Sequence, residues 1–437
     1  MGSVNKGRGD SPLGEAWLVA VGDELLLGRI ADTNSQEIAR QLTARGVAVR
    51  GVTVVGDEVA AIGRALDATP SGALVILSGG LGPTPDDLTR EAVAAWARVP
   101  VAESPPIAAF LRQRCAARGV AYGEGTARQA QLPAGLDWLA NPVGSAPGLF
   151  GELGGRMLLL LPGVPSEMRP LLAEGLARLE AAGLPVARPA VLLRTAQVAE
   201  SVLAALCDPL RQAAPELTWS WWLVRWGVDV RVSLPPGVVD GGRLAEAAAA
   251  LRAALGVSVY ADAMIDLPAV VQDLLTARAA TVATAESCTA GLVSAALTDR
   301  AGASDCFLGG VVAYADRLKQ DLVDVPAALL AAHGAVSGEV AGAMAAGIRA
   351  RTGADYGLAV TGIAGPAGGG ATKPVGTTWI ACDARGHLHV RCYRFPADRG
   401  RNRQLAVAAA LDTLRRVLRV DDDARAPWAE LDTWSRP

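Results

Sequence analysis

The chain has 437 residues, of which 51% are hydrophobic and 19% are charged, proportions typical of a globular protein with two or three domains. Acidic residues (44) slightly outnumber Lys and Arg (41), so net charge argues against nucleic acid as a partner. The six cysteines have no metal-site spacing, which indicates reduced thiols. No segment resembles a signal peptide or a membrane span. We therefore expect a cytoplasmic protein without a membrane partner.

The order of apolar runs predicts an α/β chain with three parts. From Ala16 to about Leu179, short apolar runs alternate with amphipathic stretches, as in β-α units on a mainly parallel sheet. A Pro- and Ala-rich passage near residues 182–191 then indicates a boundary. Beyond it we predict a small α+β connector and a second α/β domain. The predicted limits are 1–182, 183–263 and 264–420, followed by a flexible tail at 421–437.

A glycine-rich loop follows the buried strand ALVILS in the first domain. Gly79, Gly80 and Gly82 would let backbone N–H groups approach a phosphate. Asp86 and Asp87 could hold a divalent cation that neutralises a pyrophosphate. Alternatively, the Pro-Asp step before the next helix only starts and caps that helix.

Further polar motifs end neighbouring strands of the same domain. Asp23 and Glu24 follow the first strand, and Asn34 lies at the start of the next predicted helix. Loops at the carboxyl ends of parallel strands converge on a ligand. The motifs GDELLLG, DTN, SGGLGPTPDDLT, NPVGSAPG and LPGVPSEM together resemble the N-terminal domain of the CinA family, which is similar to the MoaB/MogA fold.

That resemblance implies a three-layer α/β domain that binds a nucleotide or pterin phosphate. Some family members hydrolyse ADP-ribose with a divalent cation such as Mg, Mn or Co. The family often has lysine where this chain has Arg128, which keeps the charge but changes the donor geometry. The resemblance leaves open whether this site is catalytic.

The third part contains nucleophile candidates but lacks a suitable histidine. The three histidines of the chain lie outside any strand-end motif with a nucleophile, which disfavours a Ser-His-Asp site and directs attention to a lysine base. Three arginines begin the last helix, where their charge opposes the helix dipole, so we expect an anion there. The candidates are Glu286, Ser287, Cys288, Thr289, Ser304, Tyr314, Lys319, Thr361, Gly362, Gly365, Arg399, Arg401 and Arg403.

These motifs resemble the C-terminal domain of the CinA family over about residues 265–418. The matching elements are AESCTAG, GAS, Y-x4-K, GAVS, AVTGIAGPAGG, KPVG and ADR-x3-R, with Ala290 standing where the family usually has glycine. The resemblance implies hydrolysis of nicotinamide mononucleotide to nicotinic acid mononucleotide and ammonia, without a required cofactor. It also implies that Ser304 is the catalytic serine and that four further side chains line the same site, namely Ser287, Tyr314, Lys319 and Thr361.

The roles within that site remain open from sequence alone. Lys319 or the Tyr314 hydroxyl could activate the serine, and Lys319 could instead bind phosphate. Backbone N–H groups near Ser287 or Gly362 could stabilise the oxyanion. Cys288 is a rival nucleophile, because the start of a helix lowers a thiol pKa.

The leading hypothesis is a nucleotide enzyme with an amidase domain, a second phosphate site and a KH-like connector, assembled as a homodimer. The alternative is a regulatory or adaptor protein linked to competence, recombination or DNA damage. In that case the four tryptophans of TWSWWLVRW could contact a protein or single-stranded nucleic acid. Otherwise these tryptophans pack against neighbouring domains, the interpretation we favour.

Overall fold

The computed structural model describes residues 14–184, 189–235 and 242–420, so the predicted tail at 421–437 lies outside the described residues. The chain forms two compact units, residues 1–188 and 189–437. No helix in the described ranges is long and apolar enough to cross a bilayer.

The first unit is a three-layer α/β domain. Its largest sheet has the strand order β2-β1-β3-β8-β7-β6, in which the first four strands are parallel and the last two antiparallel. A separate two-stranded antiparallel sheet pairs β4 with β5. The strands are β1 (Glu15–Val21), β2 (Ala48–Val55), β3 (Leu74–Ser78), β4 (Val101–Glu103), β5 (Gln131–Pro133), β6 (Asp137–Leu139), β7 (Gly148–Leu153) and β8 (Arg156–Leu161). The helices are α1 (Asp23–Leu26), α2 (Thr33–Ala44), α3 (Val59–Asp67), α4 (Thr89–Ala97), α5 (Pro105–Arg118), α6 (Glu124–Arg128) and α7 (Pro165–Ala181).

The alternation of side chains along β1 explains the three layers. Leu18 packs into a core with α2 and α7, whereas its neighbour Val19 packs into a second core with α3 and α4. Successive strand residues point to opposite faces, so a sheet buried on both sides needs continuous apolar strands. The predicted α/β layering is confirmed.

The connector begins the second unit and forms an antiparallel sheet of order β10-β11-β9-β12 with two helices. Its elements are β9 (Ala190–Thr195), α8 (Glu200–Ala213), β10 (Thr218–Leu223), β11 (Val228–Ser233), α9 (Arg243–Leu255) and β12 (Val259–Ala261). The order β-α-β-β-α-β is that of a ferredoxin-like split unit. The α+β connector is therefore confirmed, and the KH-like comparison stays a prediction.

The four connector tryptophans have different surroundings. Trp219 and Trp221 pack against the connector's own core, whereas Trp226 is buried in the core of the C-terminal domain. Trp222 is 39% exposed. Packing against a neighbouring domain therefore accounts for Trp226 alone.

The C-terminal domain has a five-stranded sheet of order β14-β13-β15-β16-β17. Strands β14, β13 and β15 are parallel, and β16 and β17 are antiparallel additions. The strands are β13 (Val282–Glu286), β14 (Phe307–Val312), β15 (Tyr356–Gly362), β16 (Thr377–Ala384) and β17 (His387–Arg394). The helices are α10 (Leu267–Ala277), α11 (Leu292–Thr298), α12 (Asp316–Val323), α13 (Ala327–His333), α14 (Gly338–Thr352) and α15 (Arg399–Leu418).

Helix α15 joins the connector to the C-terminal domain. Arg415 donates to the carbonyl of Val257 at 2.6 Å, and Arg419 donates to the carbonyl of Tyr260 at 3.0 Å. Arg415 also pairs with buried Asp412, so its charge is compensated within the core. The connector and the C-terminal domain thus share one compact unit.

Candidate functional site

The carboxyl edge of the C-terminal sheet brings most of the predicted residues together. In the parallel register, Glu286 at the end of β13 lies beside Val312 of β14 and Val360 of β15. The chain segments that follow these three strands therefore leave the sheet on the same side. Ser287 and Tyr314 lie on these segments, and Gly362 is the last residue of β15 at the same edge.

Ser304 lies at the opposite edge of the sheet. It belongs to a short 3₁₀ helix, Ala303–Asp305, that precedes β14, and Phe307 at the start of β14 pairs with Val282 at the start of β13. Because β13 has five residues and a strand rises about 3.3 Å per residue, the two edges are separated by roughly 13 Å. The prediction that Ser304 shares a site with Lys319 and Tyr314 is wrong. Its turn precedes β14, whereas Lys319 and Tyr314 follow that strand.

A buried carboxylate shapes the turn after β13. Glu286 is 1% exposed, and its oxygens accept from the backbone N–H groups of Gly291, Val293 and Ser294 and from the Ser294 hydroxyl, at 2.7–3.1 Å. With four donors around it, this carboxylate has little capacity left for a ligand. The prediction that Glu286 binds substrate is wrong. It is a positioning residue that joins the turn to the start of α11.

Two of the three arginines at the start of α15 contact the loops at this edge of the sheet. Arg403 donates to the carbonyls of Cys288 and Thr289 at 3.0 and 2.9 Å. Arg399 donates to the carbonyl of Gly365 at 2.8 Å and to the Tyr314 hydroxyl at 3.3 Å. Residues four apart share a helix face, so one arginine stabilises the turn while exposed Arg399 remains available to an anion.

Arg401 lies on another face of α15. It lines a cavity formed with the connector and contacts Gln404 through its guanidinium at 3.5 Å. A displacement of two residues rotates a helical side chain by about 200°. The prediction that Arg401 joins Arg399 and Arg403 in one anion site is therefore wrong.

Lys319 on α12 is a buried cation beside the turn. Its side chain is 1% exposed, and its ammonium donates to the carbonyl of Tyr314 at 3.0 Å and lies 3.5 Å from an Asp316 carboxylate oxygen. Burial lowers the pKa of Lys319, while Asp316, Cys288 and Tyr314 oppose that shift. A lowered amine pKa makes the neutral, basic form accessible at lower pH.

The turn residues differ in what their side chains can do. Ser287 is 8% exposed, and no hydrogen bond of its hydroxyl occurs within the described part of the chain. Cys288 is also buried, and burial raises the pKa of its thiol to about 12. A thiol that stays protonated is a poor nucleophile, which removes the main argument for Cys288. The hydroxyl of Thr289 is buried without a partner in the same described part.

Thr361, Gly362 and Gly365 form the β15 side of the site. The Thr361 hydroxyl donates to the carbonyl of Ala335 at 2.8 Å, so its proton connects β15 to the loop before α14. A Cβ atom on Gly362 would lie 2.8 Å from the Thr378 hydroxyl oxygen, so only glycine fits this strand position. Gly365 contributes its carbonyl to Arg399.

Ala290 has a left-handed backbone with φ of 50°. Side chains rarely adopt this conformation, which accounts physically for the glycine usual at this position. The departure noted in the sequence therefore keeps the turn but adds backbone strain within it.

The N-terminal unit has its own cavity of about 490 Å³ at the carboxyl edge of its sheet. Gly79 and Gly80 have φ of 112° and 65°, and a Cβ atom on Gly79 would lie 2.1 Å from the carbonyl oxygen of Val21. Only glycine allows this close approach. The predicted residues that line the cavity are Glu24, Gly79, Gly80, Gly82, Asp86 and Asp87.

The two adjacent aspartates have different surroundings. Asp87 accepts from the N–H groups of Gly82 and Thr84 at 2.7 and 2.8 Å and from the Thr84 hydroxyl, so it orders the loop. Asp86 is exposed. Helix α4 begins only at Thr89 with Leu88 as its N-cap, so neither aspartate caps it.

The remaining predicted residues lie beside the cavity. Asn34 is buried and donates to Ser78 and to the carbonyl of Gly163, which connects two strand ends. Asp23 accepts from the N–H of Asp57 at 3.4 Å. Arg128 lies 3.6 Å from Glu91 and donates to the carbonyl of Pro85 at 3.5 Å.

Sequence reasoning missed Asp57 in the N-terminal cavity. Burial raises the pKa of Asp57, and Asp23, Glu24 and Asp86 add to that effect while a hydrogen bond from Asp23 opposes it. The available signal was its position just after β2, at the same edge as the residues after β1. Within the described ranges, no three His, Cys, Asp or Glu residues are grouped to hold a metal ion.

Relatives of this chain match it over more than nine-tenths of its length. The CinA-like protein of Gemmatimonas aurantiaca is 41% identical over 93% of this chain and 97% of its own length. The chain belongs to the CinA family. The CinA-like protein of Frankia casuarinae is 42% identical over 92% of this chain and 96% of its own.

Each of two family models matches a region within one of the two units. Residues 265–418 match the CinA C-terminal domain, and residues 17–181 match the probable molybdopterin binding domain. A solved CinA superfamily protein from Klebsiella pneumoniae is 37% identical, covering 35% of this chain and 96% of its own, with a TM-score of 0.34. The two family models and the two CinA-like relatives confirm the predicted CinA resemblance at both ends of the chain.

The surroundings of Lys319 predict the effect of removing its partner. Asp316→Asn should lower the pKa of Lys319, because the carboxylate stabilises the charged amine. Only three lysines occur in the chain, Lys6, Lys319 and Lys373, so NMR titration of protein labelled with ¹³C- and ¹⁵N-enriched lysine can follow Lys319. Asp321→Asn on the same helix is the matched control. A Lys319 pKa that stays the same or rises in Asp316→Asn would contradict the electrostatic account.

Proposed function

We propose that the C-terminal domain hydrolyses the amide of nicotinamide mononucleotide with a Ser287–Lys319 pair. The observation that carries the proposal is the buried Lys319, with its lowered pKa, beside the turn that presents Ser287. A serine hydroxyl needs an adjacent base to become a nucleophile, and a desolvated lysine provides one. The family resemblance supplies the substrate, whereas the residues supply the chemistry.

The reaction follows from these groups in two steps. Neutral Lys319 takes the Ser287 proton while Oγ attacks the amide carbon, and the resulting oxyanion is stabilised by backbone N–H groups near Ser287 or Gly362. The C–N bond then breaks, and ammonia leaves with a proton returned by Lys319. Water attacks the ester in the same manner and releases nicotinic acid mononucleotide. Arg399 would hold the phosphate of the substrate through its exposed guanidinium.

Two serine variants test the assignment of the nucleophile. Ser287→Ala should reduce ammonia release from nicotinamide mononucleotide by at least about 10³-fold, since removal of a catalytic nucleophile has effects of this size or larger. Ser304→Ala is the matched control and should stay within about twofold, because surface substitutions are usually near neutral. Loss of activity in Ser304→Ala with full activity in Ser287→Ala would contradict the proposal.

A second activity, hydrolysis of ADP-ribose, is favoured by the N-terminal cavity. Its glycine loop can approach a pyrophosphate, and Asp86 and Asp87 could hold a divalent cation that neutralises the developing charge. Burial raises the pKa of Asp57, and such a cation would relieve the carboxylate repulsion that adds to this effect. Regulation or an adaptor role has no comparable support from a particular group of residues.

The two aspartates should respond differently to substitution. Asp86→Asn should reduce metal-dependent AMP release from ADP-ribose at least tenfold, the scale on which even outer partners of a metal act, without changing the thermal midpoint. Asp87→Asn should also destabilise the first unit by about 1–2 kcal/mol, because its carboxylate orders the loop. Calorimetry of the full chain measures the change in stability, and an AMP assay measures the change in ADP-ribose hydrolysis. Undiminished AMP release by Asp86→Asn would exclude the predicted metal role.

A further inference from the structure

Strand β10 of the connector lies at the edge of its sheet without the usual protection against pairing. Its sequence, TWSWWL, contains no proline, glycine or charged residue, and its register with β11 has no irregularity. Trp222 and Leu223 are 39% and 59% exposed. Uncovered apolar edge strands pair readily with other strands, and proteins usually protect them.

The other edge strands of the sheets that the structure describes are protected. Strand β2 has a register shift at Arg50, and β14 has one at Leu308. Strand β17 contains Arg391 and Arg394, and the edge strands β4, β5, β6 and β12 have only three residues each. Bulges, charges and short length all discourage pairing at an edge. The contrast indicates that another strand covers β10.

The hairpin turn determines which backbone groups of β10 point away from the sheet. The N–H of Val224 donates to the carbonyl of Gly227 at 2.9 Å, so these residues form a hydrogen-bonded pair. Such pairs recur at every second residue of an antiparallel ladder, so the even-numbered residues of β10 bond to β11. Three residues direct their N–H and C=O groups outward, where no described residue pairs with them: Trp219, Trp221 and Leu223.

We propose that β10 pairs antiparallel with β10 of a second copy of this chain, about a two-fold axis at Trp221. The outward residues are evenly spaced around Trp221, so this register sets Trp221 opposite the partner's Trp221 and Trp219 opposite the partner's Leu223. Every outward N–H and C=O group of both strands then has an acceptor or a donor. Self-complementarity of this kind is what a two-fold interface requires.

The side chains favour the same register. Trp222 is diagonal to the partner's Trp222 across the axis, a separation that aromatic side chains can bridge. Leu223 lines an open cavity of about 660 Å³ beside the connector, and the partner's Trp219 would lie opposite it on the same face. A shift by one residue would turn the side chains to the wrong face, and a shift by two would leave outward groups at one end unpaired.

Sedimentation equilibrium tests whether this edge joins two copies. The full chain, of 44.8 kDa, should be a dimer at about 100 µM. Leu223→Lys should raise the dissociation constant at least about 100-fold, because a lysine on an edge strand opposes pairing. Leu223 is exposed, so the far-UV circular dichroism spectrum should stay the same. Val52→Lys, at an exposed position of edge strand β2, is the matched control and should have no effect.

A pair of cysteines tests the register. Ser220 lies opposite the partner's Trp222 in a pair without hydrogen bonds, where Cα atoms are about 4.5 Å apart, so oxidised Ser220→Cys/Trp222→Cys should form a disulfide-linked dimer. Thr218→Cys/Trp222→Cys, which matches a register shifted by two residues, should not. A monomeric chain at about 100 µM, an unchanged dissociation constant in Leu223→Lys, or linkage of the second cysteine pair alone would overturn the proposal.

Discussion

The candidate amidase site depends on the buried carboxylate of Glu286. It accepts hydrogen bonds from three backbone N–H groups and one hydroxyl at the start of α11, each worth about 1.5–3 kcal/mol when the acceptor is charged. Arg403 holds the same turn from the other side through two carbonyls. These contacts fix the end of β13 and the conformation of the turn that begins at Ser287. The proposed nucleophile, Ser287, is thus positioned by a residue to which the proposed reaction gives no chemical step.

The proposed role of Lys319 as a base rests on its burial rather than on the residue type alone. Lysine is ordinarily protonated near neutral pH, and Lys319 becomes useful because α12 places its ammonium in the protein, where desolvation lowers its pKa. Asp316 limits that shift because its carboxylate stabilises the protonated form of Lys319. The proton would move between Ser287 and Lys319, while Cys288 remains a protonated, packed thiol. A scarcity of histidine is therefore compatible with acyl transfer at this site.

Much of the fold was predictable, because periodic apolar runs and strand-ending glycines carry the information. The two α/β domains, the α+β connector and the start of the last helix at Arg399 are confirmed. Ser304 was misplaced because its role was taken from the family resemblance, although its turn precedes a strand in the sequence whereas Tyr314 and Lys319 follow that strand. Arg401 was misplaced because three nearby arginines were assigned to one face of a helix. The role of Asp316 depends on burial and tertiary contacts, which no local pattern encodes, whereas Asp57 was missed although its position just after β2 was an available signal.

The central claim is that the carboxyl edge of the C-terminal sheet carries the nucleophile. The most direct measurement is mass spectrometry of the full chain, quenched with acid during turnover of nicotinamide mononucleotide and then digested. The account predicts an ester-linked nicotinoyl mononucleotide on Ser287, located by fragmentation of its peptide. The same adduct on Ser304 or on the Cys288 thiol would contradict it.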